Sequence, residues 1–269
     1  MKMAKILLAS SLLVASAAAF AQGKPSAYTD ADLVWKEDFD GKKLNTKDWN
    51  YEFHEPGWVN AELQRYDDSK KNTYLKDGCL VIQALKEEKK DGTVHYSSGR
   101  INTQGKHVFT YGRFEARLRV PKGKGFLPAF WMMPDDESYY GQWPKCGEID
   151  IMEEVGVDAN YVSSSLHAEG HVHSNHNEIT HQMYLAGAED DFHTYAIEWT
   201  EEKIVTYVDG RVQLSYSSDG TEYNYPYTKP FYIILNLAWG GDWGGYDGVD
   251  ESALPTTMQV DYVRDFQKK

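Results

Sequence analysis

The sequence predicts an all-β protein, two packed antiparallel sheets in one domain, and three observations carry that prediction. Short runs of alternating apolar and polar residues, punctuated by turns, recur from Leu33 to the end of the chain. Asp209-Gly210 joins two of these runs as a tight hairpin. After residue 21 no stretch keeps a helical period beyond about two turns.

Each strand has its own pattern. Leu80 to Leu85 alternates, and Arg113 to Val120 does so cleanly: Phe114, Ala116, Leu118 and Val120 take one face, Arg113, Glu115, Arg117 and Arg119 the other. Tyr195 to Trp199 and Ile204 to Val208 are strands, and the hairpin leads into Val212 to Tyr216. Phe231 to Leu237 is a nearly continuous apolar run, and Met258 to Phe266 closes the chain as an alternating strand. No linker, low-complexity tract or internal repeat interrupts the series, so sheet packing on sheet is the expected architecture.

The first 21 residues stand apart. Met1-Lys2-Met3-Ala4-Lys5, an apolar run from Ile6 to Val14 and the ending Ala19-Phe20-Ala21 read as a signal peptide cut after Ala21. The competing reading is a buried N-terminal helix. No cysteine near the cut suggests a lipid anchor, and nothing later approaches membrane-spanning length. The expectation is therefore residues 1–21 as leader and 22–269 as one domain, secreted or periplasmic, without a membrane anchor and monomeric.

Loss of Lys2 and Lys5 takes the net charge from −13 to −15. So acidic a protein repels nucleic acid and polyanionic polymers, and a neutral ligand fits better. Aromatic residues make up 14%, with 8 Trp and 19 Tyr, which suits stacking on sugar rings but also an ordinary β core. Cys79 and Cys146 each sit among apolar neighbours in strand-like segments. An oxidising compartment would permit a bridge, yet two buried free thiols are expected.

The most informative segment is Gly147-Glu148-Ile149-Asp150-Ile151-Met152-Glu153-Glu154. A buried, unpaired charge costs several kcal/mol after relaxation, and no run of cations lies nearby to neutralise these acids. On a helix, Glu148 and Asp150 would point about 200° apart. On a strand, 148, 150 and 152 share a face while Ile149 and Ile151 enter the core. Strict alternation would put Met152, not Glu153, beside the first two acids. One extra residue, a β-bulge, restores Glu153 to their face. The two glutamates would then flank Asp150 with backbones about 13 Å apart, and long side chains leaning inward could meet the ~5–5.5 Å carboxyl separation of a double displacement at an anomeric carbon. Crowded carboxyls push one another's pKa values apart. Spacing does not say which glutamate is nucleophile and which is acid. A calcium loop and an exposed edge strand are the alternatives; Ile149, Ile151 and Met152 are wrong for a solvated loop.

Glu148-Ile149-Asp150-Ile151-Met152-Glu153 resembles the active-site strand of glycoside hydrolase family 16, in the laminarinase-like branch that carries the extra residue. The resemblance runs through nearly the whole chain after the leader. It includes Trp35-Lys36-Glu37-Asp38-Phe39-Asp40-Gly41, Trp58-Val59-Asn60-Ala61-Glu62-Leu63-Gln64 and Phe109-Thr110-Tyr111-Gly112-Arg113-Phe114-Glu115. It continues through Pro128-Ala129-Phe130-Trp131-Met132, Trp143-Pro144, Asn236-Leu237-Ala238-Trp239-Gly240-Gly241 and Val260-Asp261-Tyr262. It implies a β-sandwich jelly roll with a concave substrate cleft and hydrolysis with retention. Glu148 is the implied nucleophile, Glu153 the acid/base, and Asp150 the residue that tunes Glu148.

The resemblance also implies that Trp131 and Trp143 line the cleft, and that Asn60, Glu62 and Arg100 bind sugar hydroxyls; core or surface pairing is the ordinary alternative for each. Ala61 stands where the family often has a second Asn. Trp239 and Trp243 are expected on a Gly-rich loop at the cleft lip. His167, on a face with Ser163 and Ser165, is the implied hydrogen-bonding support of the acids, not a base. The histidine-dense stretch from His167 to His176, with His181, has no spacing that a zinc site would need. Glu37, Gly78 and Asp261 resemble a structural calcium site of carbonyls and one carboxylate, away from the chemistry; catalysis needs no cofactor. The expected function is an endo-acting retaining hydrolase of β-1,3 or mixed β-1,3-1,4 glucan. The alternatives are a non-catalytic glucan-binding protein on the same fold and a hydrolase of agar- or carrageenan-type galactans.

Overall fold

The computed structural model describes residues 27–172 and 175–268, so the leader expected over residues 1–21 lies outside the described residues. The first strands are β1 (Leu33–Glu37), β2 (Asn50–Tyr51), β3 (Gln64–Tyr66), β4 (Thr73–Lys76), β5 (Cys79–Glu88) and β6 (Val94–Ser98). Then come β7 (Arg100–Asn102), β8 (Val108–Phe109), β9 (Gly112–Arg119), β10 (Phe126–Pro134), β11 (Glu148–Glu154) and β12 (Tyr161–His167). The last are β13 (Ile179–Tyr184), β14 (His193–Trp199), β15 (Lys203–Val208), β16 (Arg211–Ser217), β17 (Phe231–Trp239) and β18 (Thr256–Phe266). Among the described residues the one α-helical turn is α1 (Gly241–Gly244).

The strands form two sheets. One runs β16-β15-β14-β9-β18-β5-β6-β3, with β1 beside β18 and β4 beside β5; the other runs β13-β12-β11-β10-β17-β7-β2, with β8 beside β17. Pairing is antiparallel except where β3 lies parallel to β6. The hairpin expected at Asp209-Gly210 is present, both residues at positive φ (49° and 74°), which a two-residue primed turn requires. The predicted alternation of β9 holds: Phe114, Ala116 and Leu118 are buried on the inner face. Both sheets feed one apolar cluster, which joins Phe114, Leu118 and Val260 to Ile149, Leu235 and Leu237.

β17 runs two residues further than its apolar core suggested. It ends at Trp239, which alternation places inward with Leu235 and Leu237. The histidine-dense stretch also hides a strand, since His181 lies on β13. Cys146 is buried and Cys79 half-buried, and both are free thiols.

Beyond β11 the chain makes its closest approach to the loop before β10. The Gly156 amide donates to Phe126 O at 2.9 Å, and a Cβ on Gly156 would sit 1.9 Å from the carbonyl oxygen of Gly123. Neither partner is a side chain that can swing away. Gly156→Ala should therefore destabilise the fold by about 3 kcal/mol through forced backbone displacement, lowering Tm by roughly 6–12 °C. A melting curve superimposable on that of the wild type would dismiss the close approach as a constraint.

Candidate active site

β11 contains one residue more than its neighbours. Against β12 the register moves from Asp150–Ser165 to Glu153–Ser163, three residues against two. Against β10 it moves from Asp150–Trp131 to Met152–Phe130, two residues against one. This is a β-bulge. Ile149, Ile151 and Met152 are all fully buried in the core, so two consecutive apolar side chains point inward. Glu153 is thereby returned to the outer face, in the row of Ser163, two outward-facing pairs along the ladder from Glu148 and His167.

The three acids sit in unlike surroundings. Glu148 is half-buried, and its Oε2 accepts a hydrogen bond from Trp143 Nε1 at 2.7 Å. Asp150 is 1% exposed; burial, then the charge of Glu148 and a hydrogen bond to it, push the Asp150 pKa well up. With a proton on it, Asp150 would be the donor to the Glu148 carboxyl. Glu153 is also pushed well up, by burial first and then by the charges of Asp150 and Glu148, with His167 opposing. His167 Nε2 lies 3.0 Å from Asp150 Oδ2, and Tyr227 Oη donates to the His167 carbonyl at 2.7 Å. Ser164 donates to the Asp150 carbonyl at 2.7 Å, fixing the backbone at the bulge from the core side.

Toward β17 and β7 the same face carries a different lining. Arg100 is buried, and its Nε donates to Glu52 Oε2 at 2.8 Å. Its guanidinium lies 4.7 Å from the Trp131 ring centroid and 5.2 Å from that of Trp58, a cation–π arrangement on two rings. Burial alone would raise Glu52, but Arg100, Asn102 and His54 more than offset it and hold its carboxyl below the usual range. Trp131 Nε1 donates to Asn236 Oδ1 at 2.7 Å. Glu62 is buried and accepts from Gln64 Nε2 at 2.7 Å; burial raises its pKa against the pull of Gln64, Arg100 and Tyr66.

The remaining expected residues divide. Trp143 and Trp243 are exposed, at 50% and 37%. Asn60 is exposed at φ 49°, and its carbonyl accepts the Asp242 amide at 2.7 Å, which joins its loop to α1. Trp239 does not reach the cleft. It is fully buried against Phe126, ring centroids 4.6 Å apart, because strand β17 extends to it and turns it inward.

Glu37, Gly78 and Asp261 belong to the other sheet. Along β18, partners pass from β5, last at Val260–Leu80, to β1, first at Val263–Glu37. Glu37 and Asp261 lie beside that junction, and Gly78 directly precedes β5. Asp261 Oδ2 already accepts from Arg117 at 2.6 Å, and the Glu37 carboxyl accepts the Phe39 amide at 2.9 Å. Those bonds leave one carboxylate oxygen each on Asp261 and Glu37, hard ligands of the type calcium takes.

Residues 59–264 match the family model for glycosyl hydrolases family 16. The chain belongs to glycosyl hydrolases family 16. It is 39% identical over 242 residues to a β-glucanase of Rhodothermus marinus, covering 87% of this chain and 84% of that one. It is 38% identical over 265 residues to glucan endo-1,3-β-glucosidase A1 of Niallia circulans, covering 90% of this chain and 39% of that longer protein. Among solved structures, a non-specific endo-β-1,3(4)-glucanase of family 16, co-crystallised with 1,3-β-D-cellotriosyl-glucose, superposes with a TM-score of 0.84 at 38% identity. That match covers 91% of this chain and 98% of that one. The two-sheet architecture is that family's jelly roll.

Several residues of this family 16 site had no sequence signal of their own. Glu52, His54 and Asn102 are ordinary polar residues until folding stacks β2 and the loop after it on β7. Asn236, Gln64 and Tyr66 lie in or beside motifs, yet their shared network appears only when Asn236 Nδ2 is seen to donate to Tyr66 Oη at 3.2 Å.

The poorly solvated, half-buried position of Glu153 carries a stability signature. Between the carboxyl's ordinary range in the unfolded chain and its raised value in the folded one, the folded state keeps a proton that the unfolded state has lost. Stability therefore falls as pH rises through that window. Glu153→Gln removes the effect. The variant should melt at least about 2 °C above the wild type at pH 8, and the two should converge near pH 4. A variant that melts lower than the wild type at pH 8 would mean that Glu153 is not held protonated.

Proposed function

We propose that this chain is a secreted, endo-acting retaining hydrolase of β-1,3 or mixed-linkage β-1,3-1,4 glucan, working as a monomer with residues 22–269 as its catalytic domain and 1–21 as its leader. The observation that supports the reading is the bulge in β11, which puts Glu148, Asp150 and Glu153 on one face. The names of the β-glucanase relatives support the substrate class.

In the first step a Glu148 oxygen attacks the anomeric carbon as the bond to the leaving oxygen breaks, and Glu153 delivers its proton to that oxygen. A covalent sugar ester on Glu148 results. In the second, water attacks the same carbon, Glu153 takes its proton, and the Glu148 carboxylate is released with the anomeric configuration retained. Asp150, protonated, donates to Glu148 and holds it in line; Trp143 holds the other side. His167 supports Asp150. Arg100, Trp131, Glu62 and Asn60 are the groups proposed to receive sugar. A neutral polymer suits a protein of this charge, which argues against the sulfated galactans. Both glutamates and their buried supports are intact, which favours hydrolysis over mere binding.

Calcium on the carbonyls of Glu37 and Gly78 with Asp261 would add stability and no chemistry. Millimolar calcium should raise Tm by a few degrees, since a ligand of the folded state alone stabilises by mass action; no shift on titration, followed by calorimetry, would exclude the site.

Glu148→Gln and Glu153→Gln should each lower kcat on laminarin by about 10²–10⁴, with melting and circular dichroism showing an intact fold. Near-wild-type turnover in either would refute its role. The anomer first released should be the β form, by NMR of early product; the α form would rule out double displacement.

A further inference from the structure

An endo-acting enzyme must hold sugar on both sides of the bond it cuts, and Arg100, Trp131, Glu62 and Asn60 occupy only one side of Glu148 and Glu153. The other side, across β12 and β13, presents three rungs. Ser165 faces Thr180 beside Asp150, Ser163 faces Gln182 beside Glu153, and Tyr161 faces Tyr184 one rung further. Between them Val162, Met183 and Ile179 turn to the core, so the outward set shares the face of the catalytic acids.

Tyr161 and Tyr184 are 43% and 59% exposed, with ring centroids 5.4 Å apart at 60°. From strand spacings, their backbones lie about 8 Å and 12 Å from that of Glu153, one to two sugar units beyond the acid. The turn that carries Tyr161 is fixed. Its amide donates to the Asp158 carbonyl at 3.0 Å, and Tyr246 Oη contacts both carboxylate oxygens of Asp158 at 3.1 Å. Exposed aromatic faces held in place beside a polar shelf suit a pyranose, which offers C–H surface to a ring and hydroxyls to Ser, Thr and Gln. Continuity with the acids names the occupant.

We propose that Tyr161 and Tyr184, with Gln182 and Thr180, form the subsite for the leaving-group half of the glucan chain. This rests on the glucan-hydrolase reading and deepens it. The pair sets how far the polymer extends past the cut and does not touch the reacting atoms.

The test compares two substrates on the purified full chain: long β-1,3-gluco-oligosaccharides, and an aryl β-laminaribioside whose leaving group is a single ring. In the Tyr161→Ala/Tyr184→Ala variant, kcat/KM on the oligosaccharides should fall about tenfold, mostly through KM, the scale of one lost aromatic contact. On the aryl substrate it should change less than about twofold. Tyr161→Phe/Tyr184→Phe should stay near wild type on both, and Tyr184→Ala alone, on an edge strand, should show part of the split. Equal losses on both substrates would assign the pair a structural role and overturn the proposal, as would no loss on either. Both results leave the glucanase reading standing. A wild type that releases no sugar from laminarin overturns that reading and this one with it.

Discussion

One extra residue in β11 is the constraint on which the site depends. With strict alternation, a strand carrying Glu148, Asp150 and Glu153 would send the last acid toward the core, where Ile151 and Met152 are fully buried. The bulge lets both apolar side chains point inward in succession and shifts the phase of the residues after them. The apolar cluster thus enforces the bulge. Straightening the strand would expose Met152 to water and bury Glu153, two unfavourable transfers at once. The geometry of the acids is held by the hydrophobic effect acting on their neighbours.

That arrangement concentrates carboxyls where charge is poorly solvated, and burial makes their protons harder to lose. Burial raises both Asp150 and Glu153, and the Glu148 charge adds to each. A neutral acid in a dry site costs far less than an ion there, and a retained proton is what a donor needs. Glu154, on the inner side of the same strand, obeys the same physics without a place in the proposed chemistry. Burial pushes it up to about 8, and one of its oxygens accepts the Asn160 amide at 2.9 Å. A raised pKa marks burial, and it marks a catalytic acid only when the group also faces the cleft.

Most of the architecture was legible because strand alternation and turn chemistry are local. β9 could be assigned face by face, and Asp209-Gly210 fixed a hairpin. The bulge, too, could be inferred, since three acids in the pattern Glu-x-Asp-x-x-Glu share a face only with an added residue. Trp239 shows where local reading stops. Gly240-Gly241 after it suggested a loop, but those glycines are required because neighbouring chain lies against them: a Cβ on Gly241 would meet the Asn60 carbonyl at 2.5 Å. The strand continues up to that crossing, so the ring turns inward. Glu52 was illegible for a different reason. Its partner Arg100 lies 48 residues away, and nothing in either neighbourhood announces the pair.

The two halves of the outer face differ in a way that suits a polymer cutter. On the β7 and β17 side the lining is interlocked: Glu52, Arg100, Trp131, Asn236 and Tyr66 each hold another, and the guanidinium lies against two indoles. Such side chains have already lost their rotamer freedom, so a ligand bound there costs little further ordering. On the β12 and β13 side Ser163 and Ser165 are buried, while Thr180, Gln182 and the two phenols stand open to solvent. Grip of this kind is weaker and more easily released. In the proposed reaction the first half must hold its sugar through the life of the covalent ester, while the second must let its fragment go before water can enter. A rigid, charged clamp on one side and an exposed aromatic shelf on the other meet those opposite demands within a single sheet.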